Sequence, residues 1–465
     1  MNNYARKFGG GASDTTVLPF TLLILAIAFV LILVLPRKYV VIPLLVASIL
    51  IPGGQVIVLG PFHFMVFRIL TLFGWVRLFQ SGALANHRAW GFRINSLDKA
   101  IVLWALAAAL SFVLLYGEMQ AFVNRLGFLF DAFGIYFLFR FLIQDFKDMD
   151  RIIKCLAILC SIIAVFMVIE QATGRNFFSI FGGVSEFTAI RDGKLRSQGP
   201  FAHPIVSGTF GAVWVPLFVG LWQKSQRSRL IAVVGLAAAA VMVLTSASST
   251  PLLACAAGIV ALCFWPFRKQ MRWIRWGVVI LLVSLHLVMK APVWALIARV
   301  DVIGASSGYH RYELVNQTIR HFSDWWLYGV KDTSSWGSNM GDTVNQFVDV
   351  AVTGGLVTLI LFLGILAYGF QRIGLARKAC KNDLKTQRFV WALGACLFAN
   401  VVAFFGITYF DQTQVTWLSL LAMIAAVPIA MAVQKTAAFE RNTPSIVDSA
   451  VLNSTETAWG NLHPL

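Results

Sequence analysis

Three basic residues and a histidine lie close together just before an apolar stretch of the sequence. The segment reads RDGKLRSQGPFAHP and supplies Arg191, Lys194, Arg196 and His203. Because a guanidinium group can bind two phosphate oxygens at once, this cluster favours an anionic ligand such as a diphosphate carried on a lipid. The structural alternative is that these cations only snorkel to lipid headgroups. The segment is therefore a candidate anion site.

A second polar segment, residues 306–355, carries a similar set of groups. Its candidate side chains are His310, Arg311, Arg320, Asp342 and Asn345. Two segments that each present an arginine can bind one diphosphate between them, provided that the fold brings them together. The histidine and aspartate side chains can in addition accept the proton of a reacting hydroxyl group.

Membrane-spanning helices are the elements that must position these residues. The 465-residue chain is 58% hydrophobic and 13% charged, and apolar runs of about 20 residues are long enough to cross a bilayer. We therefore expect an all-α, polytopic integral membrane helical bundle with about 12–13 transmembrane segments. The apolar segments are 17–36, 39–51, 61–79, 100–116, 121–143, 152–171, 205–222, 230–246, 251–264, 273–296, 347–370, 389–410 and 415–433. Segment 39–51 is short and is expected to be a broken or re-entrant element.

The chain is expected to form one membrane domain. Residues 1–434 contain no stretch of mixed polarity long enough for a separate soluble domain. Residues 435–465 are polar and are expected to be a disordered tail in the cytoplasm.

The net charge of +17 is explained by the location of the basic residues. They gather in three short loops at 224–229, 268–275 and 372–388, and short basic loops stay in the cytoplasm. This pattern favours a membrane protein and gives no support to nucleic-acid binding. Counting segments from these loops places residues 172–204 and 298–345 on the opposite, exoplasmic face as two large loops.

The sequence contains none of the motifs that bind metals or nucleotides. CxxC, HExxH, the phosphate-binding P-loop and a GxGxxG after a strand are all absent from the 465 residues. We therefore expect no metal and no cofactor.

Four ionisable residues inside the apolar segments are candidates for buried charges. They are Arg68, Arg125, Asp131 and Arg140. Charges at this depth must pair or face the bundle interior, so we expect Asp131 to form an ion pair with Arg68 or Arg125. An arginine of this group that extends the anion site is the functional alternative.

Four motifs give the chain a resemblance to a known family. They are RSQGPFAHP from Arg196 to Pro204, SGYHR from Ser307 to Arg311, WWLYGV from Trp325 to Val330, and VNQFVDVAVTGGL from Val344 to Leu356. Together they resemble the O-antigen ligase and polysaccharide polymerase superfamily of bacterial membrane glycosyltransferases. Arg196 and Arg311 fall on the two arginines of that family, and Asn345 falls on the asparagine of its usual His-Asn pair. The departure is Val344, which stands where many ligases have the histidine.

The resemblance implies an activity at the periplasmic face of the bacterial inner membrane. Members of the family transfer a glycan from undecaprenyl diphosphate to an acceptor hydroxyl without metal or nucleotide. Arginines beside the leaving diphosphate would stabilise the charge that develops there. Because Val344 replaces the histidine, a general base must come from elsewhere, and His310, His203 and Asp342 are the candidates.

Polymerisation of lipid-linked repeat units is our first functional hypothesis, and ligation of a finished glycan to a lipid or another acceptor is the second. A transporter or flippase of lipid-linked glycans is an alternative of a different class. It predicts ionisable residues along a central cavity, whereas here they concentrate in two loops. Arg191, Lys194, Arg320 and Asn345 are the expected substrate-binding residues beside the catalytic candidates. The expected partners are an undecaprenyl-diphosphate-linked oligosaccharide, a glycan or lipid acceptor, membrane lipids and other polysaccharide assembly proteins.

Overall fold

The computed structural model describes residues 16–60, 62–80, 94–222, 224–299 and 307–442. These residues form a bundle of α-helices with two short β-hairpins, which confirms the predicted all-α class. The helices are α1 (Pro19–Val34), α2 (Arg37–Leu50), α3 (Val66–Gln80), α4 (Ser96–Tyr116), α5 (Met119–Leu129), α6 (Tyr136–Leu142), α7 (Phe146–Thr173), α8 (Pro204–Leu221), α9 (Gln226–Thr245), α10 (Ser249–Cys263), α11 (Met271–Val288), α12 (Leu296–Arg299), α13 (Ser307–Arg320), α14 (Phe322–Trp325), α15 (Gln346–Ala379), α16 (Leu384–Ala403) and α17 (Gln412–Asn442).

Short elements connect these helices. A π-helical segment, Phe130–Ile135, joins α5 to α6. One antiparallel hairpin pairs β1 (Val56–Leu59) with β2 (Phe62–Met65), and the second pairs β3 (Ala189–Arg191) with β4 (Lys194–Arg196). Single turns of 3-10 helix lie at Phe177–Phe181, Trp265–Phe267, Val293–Ala295 and Ser334–Trp336.

The bundle is that of a multi-pass membrane protein. Within the described ranges, nine helices are long and apolar enough to cross a membrane. Helices α1 and α10 are apolar but shorter, with 16 and 15 residues. Helix α8 lies at the centre, since 83% of its apolar window is buried.

Three predicted segments differ from the observed elements. Segment 61–79 begins with strand β2 and becomes helical only at Val66, so α3 has 15 residues. The long loop 298–345 contains the amphipathic helix α13 and the short helix α14. Helix α17 continues to Asn442, so residues 435–442 of the expected tail are helical, and residues 443–465 lie outside the described part.

Hydrogen bonds between turns show which helix ends lie together. The Gln412 side chain donates to the carbonyls of Ile51 and Pro200, and Ser197 N donates to the Thr245 carbonyl. Gln346 N donates to the Phe404 carbonyl at 2.9 Å. The starts of α8, α15 and α17 and the ends of α2, α9 and α16 therefore share one end of the bundle, the polar end.

The three basic loops lie at the opposite end. Lys224 forms an ion pair with Asp150, and the Arg377 guanidinium donates to the Arg268 carbonyl. Helix α8 separates the two ends, because it begins beside Arg196 and ends beside Lys224. The predicted separation of polar and basic loops is therefore present in the fold.

Ion pairs account for buried charges in the bundle. Arg68 binds Asp131 through two hydrogen bonds, Nε to Oδ1 at 2.7 Å and Nη2 to Oδ2 at 2.6 Å, which confirms the first of the two predicted pairings. Arg140 lies 3.6 Å from Asp98, whose carboxylate also accepts the Tyr136 hydroxyl. The Arg125 guanidinium stacks on the Phe112 ring at 3.5 Å. These arginines are held by residues of the bundle itself.

A break in α15 connects the second polar segment to the bundle. Gly355 has φ +78°, in the left-handed region, which interrupts the helix. Segment 326–330 packs into the break, because Val330 N donates to the Val352 carbonyl at 2.7 Å and Leu356 N donates to the Trp326 carbonyl at 2.8 Å. Irregular backbone at membrane depth needs such partners.

Replacement of Gly355 by alanine tests this connection. A Cβ atom there would lie 2.4 Å from the Leu327 carbonyl oxygen. Gly355→Ala should therefore lower the free energy of unfolding by about 2 kcal/mol or more. Gly364→Ala is the matched control, because Gly364 lies in the same helix with no atom within 4 Å of an added Cβ. Thermal unfolding in detergent should show a large loss for the first variant and a small gain for the second. Equal unfolding temperatures would contradict the observed break.

Candidate functional site

The backbone after Arg196 is fixed by one buried carboxylate. Glu170, 1% exposed near the end of α7, accepts hydrogen bonds from Gln198 N at 3.0 Å and Gly199 N at 2.9 Å. The Thr188 hydroxyl donates to the same side chain at 3.3 Å. Because a charged acceptor strengthens these bonds, the turn that follows Arg196 is held firmly against α7.

Two buried amides hold the remainder of this turn. The Asn176 side chain donates to the Gly199 carbonyl at 2.8 Å, and the Gln412 side chain donates to the Pro200 carbonyl at 2.9 Å. Gly199 has φ +58°, a conformation that favours glycine. The residues of the SQGP sequence therefore serve to fix the position of Arg196.

Arg196 is itself buried, with 7% of its surface exposed. Its Nη2 donates to the Ser248 hydroxyl at 2.5 Å and its Nε donates to the Ser246 carbonyl at 3.4 Å. Burial, with the nearby charge of Arg191, lowers the pKa of the Arg196 guanidinium. An arginine remains protonated under such shifts, so the site keeps a positive charge.

Arg311 reaches the same region from α13. It is 6% exposed, and its Nη2 donates to the Thr250 hydroxyl at 2.8 Å. The turn after α16 closes over this contact, because a Cβ added to Gly406 would lie 2.4 Å from Thr250 Oγ1 and 3.1 Å from Arg311 Nε. Glycine at 406 is needed for this close approach.

Both arginines therefore bind a single short turn. Residues 246–250, which we term the hydroxyl turn, join α9 to α10 and read SASST. Arg196 contacts its first half and Arg311 contacts its last residue. The structure thus brings the two predicted arginines together at the polar end.

His203 and Asp342 join the two polar segments across this site. His203 interacts electrostatically with Arg196, Arg191 and Asp342. The His203 side chain is exposed, yet partial desolvation of its ring and the nearby charge of Arg196 lower its pKa, and Asp342 opposes this shift. His203 Nδ1 accepts a hydrogen bond from Ile205 N at 3.2 Å, so the neutral ring carries its proton on Nε2. The Nε2–H of His203 can therefore act as a donor, while Asp342 is an exposed acceptor.

The other predicted residues lie farther out on the rim. Arg191 and Lys194 are exposed on the β3–β4 hairpin, where Arg191 Nε lies 3.9 Å from an Asp192 carboxylate oxygen. Arg320 is exposed in the last turn of α13. His310 is half-buried, and as the neighbour of Arg311 on a helix it does not share its face.

Asn345 has a structural function that the sequence did not indicate. It is 1% exposed, and its Oδ1 caps α15 by accepting from Phe347 N at 3.0 Å and Val348 N at 3.2 Å. Its amide nitrogen points to the Phe405 carbonyl at 3.5 Å. Because both ends of this side chain have backbone partners, Asn345 positions α15 against the turn after α16.

The hydroxyl turn and Glu170 were missed by the sequence reasoning. The run TSASST at 245–250 was visible as six small residues, five of them hydroxylated, between two apolar segments. Glu170 was a lone acidic residue near the end of an apolar segment, and that position was a signal for a buried partner.

An apolar groove lies between α13, α14 and α15. It has a volume of about 540 Å³ and is lined by residues that include Val315, Phe322, Phe347, Leu363 and Phe405. Two of its lining residues are close in sequence to the site, because Val315 lies one helical turn after Arg311 and Phe405 directly precedes Gly406. Such a groove suits an extended apolar chain.

No group of three or more His, Cys, Asp and Glu side chains in the described ranges is arranged to hold a metal ion. No protein-family model matches the sequence, and no curated protein matches it. The fold and the site define a class of protein: a polytopic helical membrane protein in which two buried arginines bind one turn. The resemblance to the O-antigen ligase and polymerase superfamily stays a prediction from the four motifs.

Replacement of Glu170 by glutamine tests the anchoring of the Arg196 turn. The amide group can replace only one of the two carboxylate oxygens, so a backbone N–H of Gln198 or Gly199 loses its acceptor, at a cost of about 1–3 kcal/mol. Glu186→Gln is the control, because Glu186 is 54% exposed in a surface ion pair and should contribute well under about 1 kcal/mol. Thermal unfolding of both purified variants checks the difference. Equal stabilities would remove Glu170 as the anchor.

Proposed function

We propose that this protein is a metal-independent membrane glycosyltransferase that polymerises lipid-diphosphate-linked glycan repeat units. The observation that carries the proposal is the convergence of Arg196 and Arg311, from two distant polar segments, on one turn at one end of the bundle. Two guanidinium groups bound to one turn suit an anionic ligand, whose charge would balance theirs. A diphosphate presents several oxygens to both.

The reaction follows from this arrangement. An acceptor hydroxyl attacks the anomeric carbon of the donor sugar, a new C–O bond forms, and the bond from that carbon to the diphosphate oxygen breaks. Negative charge increases on the departing diphosphate, and arginines held in place stabilise it more in the transition state than in the ground state.

The proton of the acceptor hydroxyl requires a separate group. Because His203 Nδ1 already accepts a backbone hydrogen bond, its Nε2–H is left for a hydrogen bond to a phosphate or sugar oxygen. Asp342 lies on the other polar segment, is exposed, and interacts with His203. We assign Asp342 as the general base and His203 as a donor.

The apolar groove supports a lipid-linked donor. We place the polyprenyl chain in it, because its lining is apolar and includes Val315, one helical turn after Arg311, and several residues of α15. The polar end is assigned to the periplasmic face of a bacterial inner membrane, since basic loops at the opposite end stay in the cytoplasm.

Product sizing with purified protein tests the proposal. The full chain, reconstituted with an undecaprenyl-diphosphate-linked oligosaccharide and a chelator, should yield a ladder of longer glycans. A single shift on an added lipid acceptor would identify a ligase. An unchanged glycan that crosses the bilayer of sealed vesicles would identify a transporter, and loss of product that returns with a divalent ion would contradict the metal-independent mechanism.

Arginine-to-lysine variants test the two-arginine site. Lysine keeps the charge but cannot make two parallel hydrogen bonds, so Arg196→Lys and Arg311→Lys should each reduce turnover by about 100-fold. Arg227→Lys is the control, because Arg227 is exposed in the basic segment 224–229 at the opposite end of the bundle, and it should keep normal turnover. Initial rates at matched protein amounts decide this, and normal polymer from Arg311→Lys would contradict the site.

A further inference from the structure

The hydroxyl turn is constructed so that two side-chain oxygens face the arginines as acceptors. The Ser248 hydroxyl donates to the Ser246 carbonyl at 2.9 Å and accepts from Arg196. The Thr250 hydroxyl donates to the Gly406 carbonyl at 3.4 Å and accepts from Arg311. Because each hydroxyl proton is directed to a backbone carbonyl, a lone pair is left for the guanidinium group.

Two glycines hold this turn from opposite sides. A Cβ atom on Gly208 of α8 would lie 2.4 Å from Ser246 Oγ, and one on Gly406 would lie 2.4 Å from Thr250 Oγ1. Real side chains cannot approach so closely, so the turn fits tightly between α8 and the segment after α16. The positions of its acceptors are therefore fixed by packing.

The backbone of the turn is also strained. Ala247 has φ +42°, in the left-handed region that residues with a Cβ rarely adopt. This residue lies directly between the Ser246 carbonyl and the Ser248 hydroxyl, the two groups that Arg196 contacts. Strain of this kind is concentrated at functional sites, where the surrounding structure maintains it.

We propose that Ser248 and Thr250 are positioning residues that orient Arg196 and Arg311 toward one diphosphate, an inference that rests on the proposed function. Neutral hydroxyls suit this purpose because they fix a guanidinium group without cancelling its charge. Arg196 accordingly takes part in none of the ion pairs formed among the described residues. Its charge stays available for an anionic ligand.

Variants of Thr250 test the effect on Arg311. Thr250→Val removes the hydroxyl at nearly constant volume and should lower kcat on the order of tenfold, since one hydrogen bond to a charged group is lost. Thr250→Ser keeps the hydroxyl and should restore most of the rate. Thr245→Val is the matched control, because the Thr245 hydroxyl bonds to the Val241 carbonyl within its own helix. Equal rates for Thr250→Val and Thr245→Val overturn the proposal.

A second measurement asks whether the effect of Thr250→Val on the rate depends on Arg311. If Thr250 acts through Arg311, then Thr250→Val in an Arg311→Ala background should change the residual rate by less than about twofold. A full loss in that background would show that Thr250 contributes only to folding. Ser248→Ala provides an independent variant for Arg196, with the same expected loss on the order of tenfold.

Ala247→Gly separates positioning from stability. Glycine adopts the positive φ without strain, so this variant should unfold at a higher temperature than the wild type. A positioning turn should nevertheless lose turnover several-fold, because the flexible glycine loosens the two acceptors beside it. Higher stability with unchanged turnover would overturn the inference.

Binding of inorganic pyrophosphate distinguishes this inference from the proposed function. Calorimetry should detect pyrophosphate binding by the wild type. Thr250→Val and Ser248→Ala should weaken this binding, and Thr245→Val should leave it unchanged. A wild type that binds pyrophosphate and forms polymer, with Thr250→Val and Ser248→Ala unchanged, overturns the positioning residues alone. A wild type that neither binds nor transfers overturns the proposed function and this inference together.

Discussion

Non-helical backbone at membrane depth must have hydrogen-bond partners, and this constraint governs the polar end of the molecule. The irregular segments there are satisfied by a few buried polar side chains. Glu170 binds the turn after Arg196, Asn345 caps α15, and Gln412 binds the carbonyls of Ile51 and Pro200. Loss of any one would leave a buried amide or carbonyl unpaired. The platform under the arginines is therefore rigid.

In the proposed function, rigidity would allow the buried arginines to act on a ligand. A guanidinium group on a flexible loop would reorganise when charge develops, and its stabilisation of that charge would be reduced. Here Arg196 and Arg311 are 7% and 6% exposed, and their acceptors belong to a turn that two glycines enclose. The two arginine side chains are already ordered in the folded bundle. The free-energy cost of ordering them is therefore part of the free energy of folding.

The sequence predicted those features that depend on local composition. Apolar runs predicted the helical class, the basic loops predicted the two ends, and ionisable residues in apolar segments predicted the Arg68–Asp131 pair. It did not predict the hairpin at the start of segment 61–79 or helix α13, because short polar elements carry little periodic signal. It placed Asn345 among the substrate-binding candidates but did not indicate its contact with the Phe405 carbonyl, since a long-range contact cannot be inferred from local pattern.

Valine at position 344 shapes the chemistry that the proposed function allows. A histidine there would supply a base close to the start of α15, whereas Val344 can neither accept nor donate a proton through its side chain. The reaction must then depend chiefly on stabilisation of the leaving diphosphate, and the base can be a weakly basic carboxylate on the rim. Asp342 meets that requirement, since it lies two residues before Val344 and interacts with His203 across the site. Buried arginines would thus determine how the donor reacts, while the exposed hairpin with Arg191 and Lys194 would face the acceptor.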